Sequence, residues 1–485
     1  MLTPRFSVDQ NDEFVFVNIR LSNIRFSARN VEIVIDDNLF IFSLPPYYLR
    51  LRFPGLLLED ERVKSSFVPK EESIKIQIPK KTTGEHFDDL DLTAKLLARL
   101  NEPTAGVVSE NRAESKRPLI EEVDEGQSVP SMKDLQKEAE NFNWEVEQKP
   151  VAELSAEELA GHPKYGFNNA YSDMINTTLA NGNDINELAN PDELKPDDRI
   201  TQRLIQENIK FDPEYYASDY LIAKYEPENC RIKDILGWQS PYKKLFDKYQ
   251  SKLASKPGIG HVPIEFDQAE RDHMADLPRK SYLVDDPRPI YYTILCLLFA
   301  YCYEIRSNEG DSTVESGWSI GKLTPQLSCL DSQLLQSTNF TEKSMLRVVV
   351  LTMERRALSY PLVRNYELVK DCWNDVYYIL RCGKRGVLKA ILAAREFFRF
   401  HDVYYIYCKI LLDDLCSWIL RDDGCNERIL RNLAHALRKE AESVGKKDVV
   451  FEKIMTEDSD EMEPVSIDEI EQLAEESYKA SQSTV

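Results

Sequence analysis

The sequence predicts a multidomain protein: an N-terminal all-β sandwich followed by a large all-α domain. Three observations carry this. Over the first 80 residues, apolar and polar side chains alternate at period two in short runs separated by polar turns. From about Val151 onward the apolar period changes to that of a helix. From Met345 to Leu420, helical patterns follow one another with hardly a break.

In the first region, Phe14–Leu21 is rich in β-formers. Val31–Ile35 and Leu39–Leu44 are short apolar runs joined by Asp36-Asp37-Asn38, a hairpin turn signal. Leu49, Leu51 and Phe53 alternate with Arg50 and Arg52, and Ile74, Ile76 and Ile78 alternate with Lys75 and Gln77. Such alternation predicts an antiparallel sandwich with one wet face per sheet. Pro45-Pro46, Pro54-Gly55 and Pro79 fall at turns or strand ends. In His86–Leu100, Leu92, Leu96, Leu97 and Leu100 form a short helical stripe after Asp88, Asp89 and Asp91, placed to pack back on the sandwich or to start a connection. The domain is therefore bounded at 1–100. Residues 101–150 have the composition of an acidic, flexible linker.

The helical domain is bounded at 151–450. Ser155-x-x-Glu158 has the form of a capping box, and Tyr165-Gly166-Phe167 with Tyr171 supply aromatic anchors. Ile200–Ile209, Pro213–Ile222, Ile232–Trp238 and Tyr242–Tyr249 have helical spacing, and Ile290–Tyr303 forms a core helix. In Tyr366–Leu380, Val369, Cys372, Trp373, Val376 and Ile379 mark one buried face, closed by the Gly383–Gly386 turn. Val387–Phe398 follows. Asp402 is placed to cap a third helix, Val403–Leu420, which is apolar almost all round and is expected at the centre of the domain. In the acidic tail, 451–485, Ser466-x-x-Glu469 heads a short amphipathic helix with Ile467, Ile470, Leu473 and Ala474 on one face. Such a helix either docks on its own domain or lays that face in a partner's groove.

Hydrophobic residues make up 42% of the chain, ample for a packed core, and the formal net charge is −22. That charge argues against a basic nucleic-acid-binding surface and against docking on anionic membranes. Residues 1–100 carry 14 basic and 15 acidic side chains, residues 101–198 carry 8 and 22, residues 199–450 carry 37 and 35, and residues 451–485 carry 2 and 11. The acid is thus concentrated in linker and tail. Nine cysteines are scattered singly, without a C-x-x-C pair, as expected of reduced core residues in an intracellular protein. The N-terminus has no apolar signal region, and the Ile290–Tyr303 run is shorter than the ~18 residues needed to span a bilayer.

No catalytic, cofactor or metal set is expected. The six histidines lack ligand spacing; His401-Asp402 fits helix capping, and Gly258-Ile259-Gly260 lacks the third glycine of a phosphate cradle. The chain is therefore expected to be an interaction protein. Its candidate partner-binding residues are the basic pairs Arg355-Arg356 and Lys384-Arg385, the tail carboxylates Glu457, Asp458, Asp460, Glu461 and Glu463, and the apolar tail positions Ile467, Ile470 and Leu473. The basic pairs fit solvated helix ends or pairing with acid in this chain or a partner. Acidic segments suit a strongly basic partner surface, such as one built to hold RNA.

Several longer strings resemble one family. Tyr47-Tyr48-Leu49-Arg50-Leu51-Arg52-Phe53-Pro54 and Phe87-Asp88-Asp89-Leu90-Asp91-Leu92 resemble the N-terminal half of the Shq family of box H/ACA ribonucleoprotein assembly factors. Glu315-Ser316-Gly317-Trp318-Ser319-Ile320-Gly321-Lys322-Leu323, Arg355-Arg356-Ala357-Leu358-Ser359-Tyr360-Pro361-Leu362 and Leu380-Arg381-Cys382-Gly383-Lys384-Arg385 resemble its helical half. The resemblance implies a CS-type sandwich, like that of small heat-shock proteins, and a family-specific helical domain. It implies a chaperone of the nucleus and cytoplasm that binds a dyskerin-type pseudouridine synthase before guide RNA is loaded and occupies the place of RNA. It also leaves open a co-chaperone role in which the CS domain recruits a heat-shock ATPase.

Overall fold

The computed structural model describes residues 2–21, 31–68, 72–99, 147–148, 161–255, 262–335, 344–453 and 462–483. Ser155-x-x-Glu158 and Gly258-Ile259-Gly260 lie outside them. The chain divides into two units at about residue 154.

The first unit is a sandwich of two antiparallel sheets. Strands β1 (Arg5–Gln10), β2 (Phe14–Arg20), β6 (Lys64–Val68) and β7 (Ser73–Pro79) form one sheet, in the order β1-β2-β7-β6. Strands β3 (Glu32–Asp36), β4 (Leu39–Leu44) and β5 (Tyr47–Arg52) form the other, in sequence order. The register places Val17 opposite Val8 on one side and Ile76 on the other. Val15, Val17 and Ile19 thereby meet Ile74, Ile76 and Ile78 on one inner face, with Phe40, Phe42, Leu49 and Leu51 lining the other. Asp37 turns the β3–β4 hairpin with φ +50°, a conformation Asp tolerates better than most residues.

One sheet face departs from the expected wet side. Helix α1 (Thr93–Leu97) packs on β5, and Arg50 is buried beneath it. The Arg50 guanidinium donates to the Leu97 carbonyl at 3.1 Å, and its backbone N–H donates to Gln148 Oε1 at 3.0 Å. Gln148 Nε2 in turn donates to the Tyr48 carbonyl at 2.9 Å. The distal end of the expected linker is therefore tied to the outer face of the sandwich.

The second unit is helical. In order it contains α2 (Asn176–Leu179), α3 (Pro196–Lys210), α4 (Pro213–Tyr225), α5 (Ile232–Gly237), α6 (Pro241–Ser255), α7 (Gln268–Ala275), α8 (Arg288–Ser307), α9 (Ser316–Leu323), α10 (Pro325–Ser328), α11 (Met345–Ser359), α12 (Tyr366–Arg381) and α13 (Gly383–Arg399). Then come α14 (Tyr405–Tyr407), a π-wound turn (Cys408–Leu412), α15 (Asp413–Leu420), α16 (Glu427–Ser443), the strands β8 (Val450–Lys453) and β9 (Glu463–Ser466), and α17 (Ile467–Ser483).

The centre is α8, not the expected 403–420 helix. Ile294 to Ala300 are seven consecutive fully buried residues, so over these two turns no face of α8 reaches water, and α9, α11, α12 and α13 pack around it. The 403–420 segment instead packs on α13 and keeps Tyr405, Lys409 and Asp413 only partly covered. Its cap is His401, whose Nδ1 accepts from the Val403 and Tyr404 N–H groups at 3.2 and 3.1 Å; Asp402 stays exposed. All nine cysteines are free thiols, and eight are buried. Among the described residues no helix is long and apolar enough to cross a membrane.

Candidate partner-binding surface

The Arg355-Arg356 pair does not form a solvated basic spot. Both side chains enter a buried ion network, and Arg356 is fully inaccessible. Glu207 on α3 accepts from Arg203 at 2.9 Å, Arg355 at 2.9 Å and Arg356 at 3.3 Å. Arg203 also donates to Asp331 at 2.8 Å. Arg356 continues to Glu187 at 3.1 Å, Ser328 Oγ at 2.8 Å and the Lys322 and Leu323 carbonyls. Burial alone would push the Glu207 carboxyl up; Arg203, Arg355 and Arg356 outweigh it and hold it at about 2. Three carboxylates face three guanidiniums and the Lys322 ammonium, 3.7 Å from Glu187, so every charge of the cluster has a partner in the interior. It clamps α3 and α11 to the α9–α10 region. A side chain spent there has no reach toward a partner, which corrects the partner-binding expectation for Arg356. Arg355 is half-buried and stacks over Phe451 at 4.4 Å.

Lys384 and Arg385 open α13 rather than end a helix. Gly383 sits at φ +76°, and a Cβ there would lie 2.1 Å from Glu427 Oε1. Glu427 accepts from the Lys384 N–H at 2.7 Å, a carboxylate at a helix N-terminus. Lys384 Nζ donates to the Arg421 carbonyl at 2.5 Å, and Arg385 donates to the Ile264 carbonyl at 2.8 Å and lies over Phe266. Arg385 alone of the four basic candidates is well exposed.

The tail folds onto its own domain. β8 and β9 pair antiparallel, with Phe451 opposite Val465, and Phe451 stacks on Phe211 at 3.8 Å. Ser466 and Glu469 make the expected reciprocal cap at 2.7 and 3.3 Å. Ile467, Ile470 and Ala474 are buried against the domain, whereas Leu473 is 52% exposed. Glu471 accepts from Tyr216 and Lys446, both at 2.7 Å; Glu475 pairs with Tyr220 at 2.6 Å and with Lys224. Ile467 and Ile470 thus serve the core, and the helix is bound in cis. Glu463 is exposed at the start of β9; Glu457, Asp458, Asp460 and Glu461 lie outside the described residues.

Helix α3 carries a surface that the sequence reading missed. Its inward face carries three charged residues beside Ile200: Arg199 and Arg203 are 1% exposed and Glu207 is 0% exposed. Its outward face is aliphatic: Leu204, Ile205 and Ile209 are 39, 49 and 62% exposed. Leu204 and Ile205, with Leu351, Val450 and Pro464, line a groove of about 390 Å³ between α3, α11 and the β8–β9 hairpin. The usable signal was Arg199, Arg203 and Glu207 at i, i+4, i+8, which competes with the aliphatic stripe for the core.

Among the described residues no three His, Cys, Asp or Glu side chains are grouped to hold a metal. His162 pairs with Asp173 at 2.6 Å, and His273 with Glu396 at 3.2 Å, where Glu396 also meets Arg395 and Arg399.

Comparison with known proteins matches residues 3–97 to the SHQ1-like CS domain and residues 258–453 to the Shq1 domain of SHQ1 proteins. Protein shq1 of Schizosaccharomyces pombe is 35% identical over 90% of this chain and 91% of the relative. The SHQ1 homologue of Xenopus tropicalis is 31% identical over 93% of this chain and 68% of the relative, and that of Mus musculus is 30% identical over 86% and 69%. The likeness runs through both folded units, and on it the chain belongs to the SHQ1 family.

Proposed function

We propose that this protein is an assembly chaperone that binds a dyskerin-type pseudouridine synthase before guide RNA is loaded and covers its RNA-binding surface. The observation that carries the reading is family membership over both units, with 90% of the chain aligned to a relative. Binding without chemistry would account for its role: apolar contact and carboxylates set against a basic surface hold the client until RNA replaces the chaperone. The acid for this is not in α17, where Glu471 and Glu475 are engaged within the domain. By sequence, residues 101–160, with 15 acidic and 6 basic side chains, and the stretch 454–461, with four carboxylates and no cation, supply it. Work in the nucleus and cytoplasm is part of the same proposal.

The test is competition. Full-length chain, recombinant synthase and guide RNA are mixed at saturating concentrations, and complexes are separated by size. Mutual exclusion of chain and RNA is expected; a stable complex holding both would overturn the reading. A second reading, recruitment of a heat-shock ATPase, rests on the CS match over residues 3–97. Titration of the ATPase with the full chain decides it, and absence of binding removes it.

A further inference from the structure

We infer that the cleft between α6 and α13 is a binding site for a small organic anion with a mostly apolar body, in the simplest case an arylcarboxylate. The inference stands apart from the proposed function, and either can fail without the other. The cleft has a volume of about 620 Å³, within the range of small-molecule sites. Leu245 and Tyr249 of α6 form one wall, Pro263 and Ile264 the other, and Tyr242 and Tyr301 also line it. Both walls are pinned to the domain. Arg385 donates to the Ile264 carbonyl at 2.8 Å, and Lys389 Nζ donates to the Glu265 carbonyl at 2.9 Å and to Glu270 at 2.7 Å. On the α6 side, Phe246 packs on Tyr378 with ring centres 5.6 Å apart. The cleft is therefore formed before any ligand arrives, which lowers the ordering cost of binding.

The polar groups select the ligand. Neither the Tyr242 nor the Tyr301 hydroxyl is sealed in the protein, and neither is hydrogen-bonded among the described residues. Burial pushes both phenols up, so both stay protonated donors near neutral pH. Two open donors in an apolar cleft call for a ligand oxygen. Lys248 and Lys252, one turn apart on α6, line the same cleft, are exposed, and have no carboxylate partner among the described residues. The lining holds two further charges: Lys389, paired with Glu270, and the exposed Glu265. Two unpaired ammoniums thus stand against one carboxylate. On the elements beside the cleft, Lys243 lies over Tyr378 and Lys384 donates to the Arg421 carbonyl. Lys244 and Arg385 are offset by Asp247 and Asp267, so the positive excess lies at the cleft itself and favours an acid over an amine.

The test titrates the full chain with three fluorescent probes that share one ring system: naphthoate, naphthoate with a hydroxyl at the far end, and naphthylmethylammonium. Two variants are compared with the wild type. Lys248→Glu with Lys252→Glu reverses the charge at two exposed positions, where substitution costs the fold little. Tyr301→Phe keeps the ring and removes one donor. The wild type should bind hydroxynaphthoate most tightly, naphthoate next and the ammonium least. The double lysine variant should lose at least about tenfold in affinity for both acids and prefer the ammonium. Tyr301→Phe should bind hydroxynaphthoate about threefold or more weakly and leave naphthoate unchanged. A wild type that binds acid and amine alike, or a double variant that binds both acids as the wild type does, would overturn the site. Unchanged hydroxynaphthoate binding by Tyr301→Phe would overturn the part given to the tyrosines.

Discussion

Replacing Glu207 by Gln tests whether the buried ion network holds the helical domain together. The variant preserves volume and removes one charge. In the wild type the carboxylate accepts from three guanidiniums and has no contact with water. An amide can still accept on its oxygen, but its NH₂ group then meets a guanidinium donor to donor. Two carboxylates, Asp331 and Glu187, remain against three arginines and Lys322. Breaking a buried pair this way costs about 3–5 kcal/mol, most of it from the uncompensated charge left behind. Urea unfolding followed by tryptophan emission reads chiefly this domain, because four of the five tryptophans, at positions 238, 318, 373 and 418, lie in it. The gap should also depend on pH. The Glu207 carboxyl is held at about 2, below its unfolded value, so its contribution is full above about pH 4.3 and is lost as pH falls toward 2. A loss under about 1 kcal/mol, or a gap that does not narrow in acid, would refute the reasoning.

Other outcomes follow from the same packing. Ile467→Ala should destabilise the domain by about 2–5 kcal/mol in the same urea assay, and deletion of 462–485 should lower stability at every salt concentration, because the tail completes the core. Burial pushes the Glu354 carboxyl up, Lys370 at 2.9 Å brings it only partly back, and it rests at about 7. Its stabilising contribution is full below the unfolded value and is lost as pH rises through 7. Wild-type stability should therefore fall relative to Glu354→Gln by up to about 1.4 kcal/mol per pH unit between pH 5 and 7, and parallel curves would refute this. Gly383→Ala should cost about 1–2 kcal/mol from the left-handed backbone alone, plus displacement of Glu427, measured as a lowered thermal midpoint.

Local pattern made much of this molecule legible. Alternation in Ile74-Lys75-Ile76-Gln77-Ile78 identified both the strand and its inward face, because a strand shows each face to one environment. The helices over Tyr366–Arg381 and Gly383–Arg399 were equally plain, since their apolar stripes match the α-helical period. The candidate site was less legible. Lys384-Arg385 and Arg355-Arg356 look alike as dipeptides, yet one pair opens a helix near the surface and the other lies in a charge network.

The sequence by itself determined the two folded regions, the strand and helix periods, the concentration of acid between and after them, and the Ser466–Glu469 cap. Tertiary structure alone decided that α8 is the centre, that Arg356 is buried, that the tail docks in cis and that α3 turns its aliphatics outward. The reason is range. Periodicity records only how a segment divides its own residues, whereas a charged stripe becomes the buried one when partners some 150 positions away, as Arg355 and Arg356 are from Glu207, arrive to neutralise it.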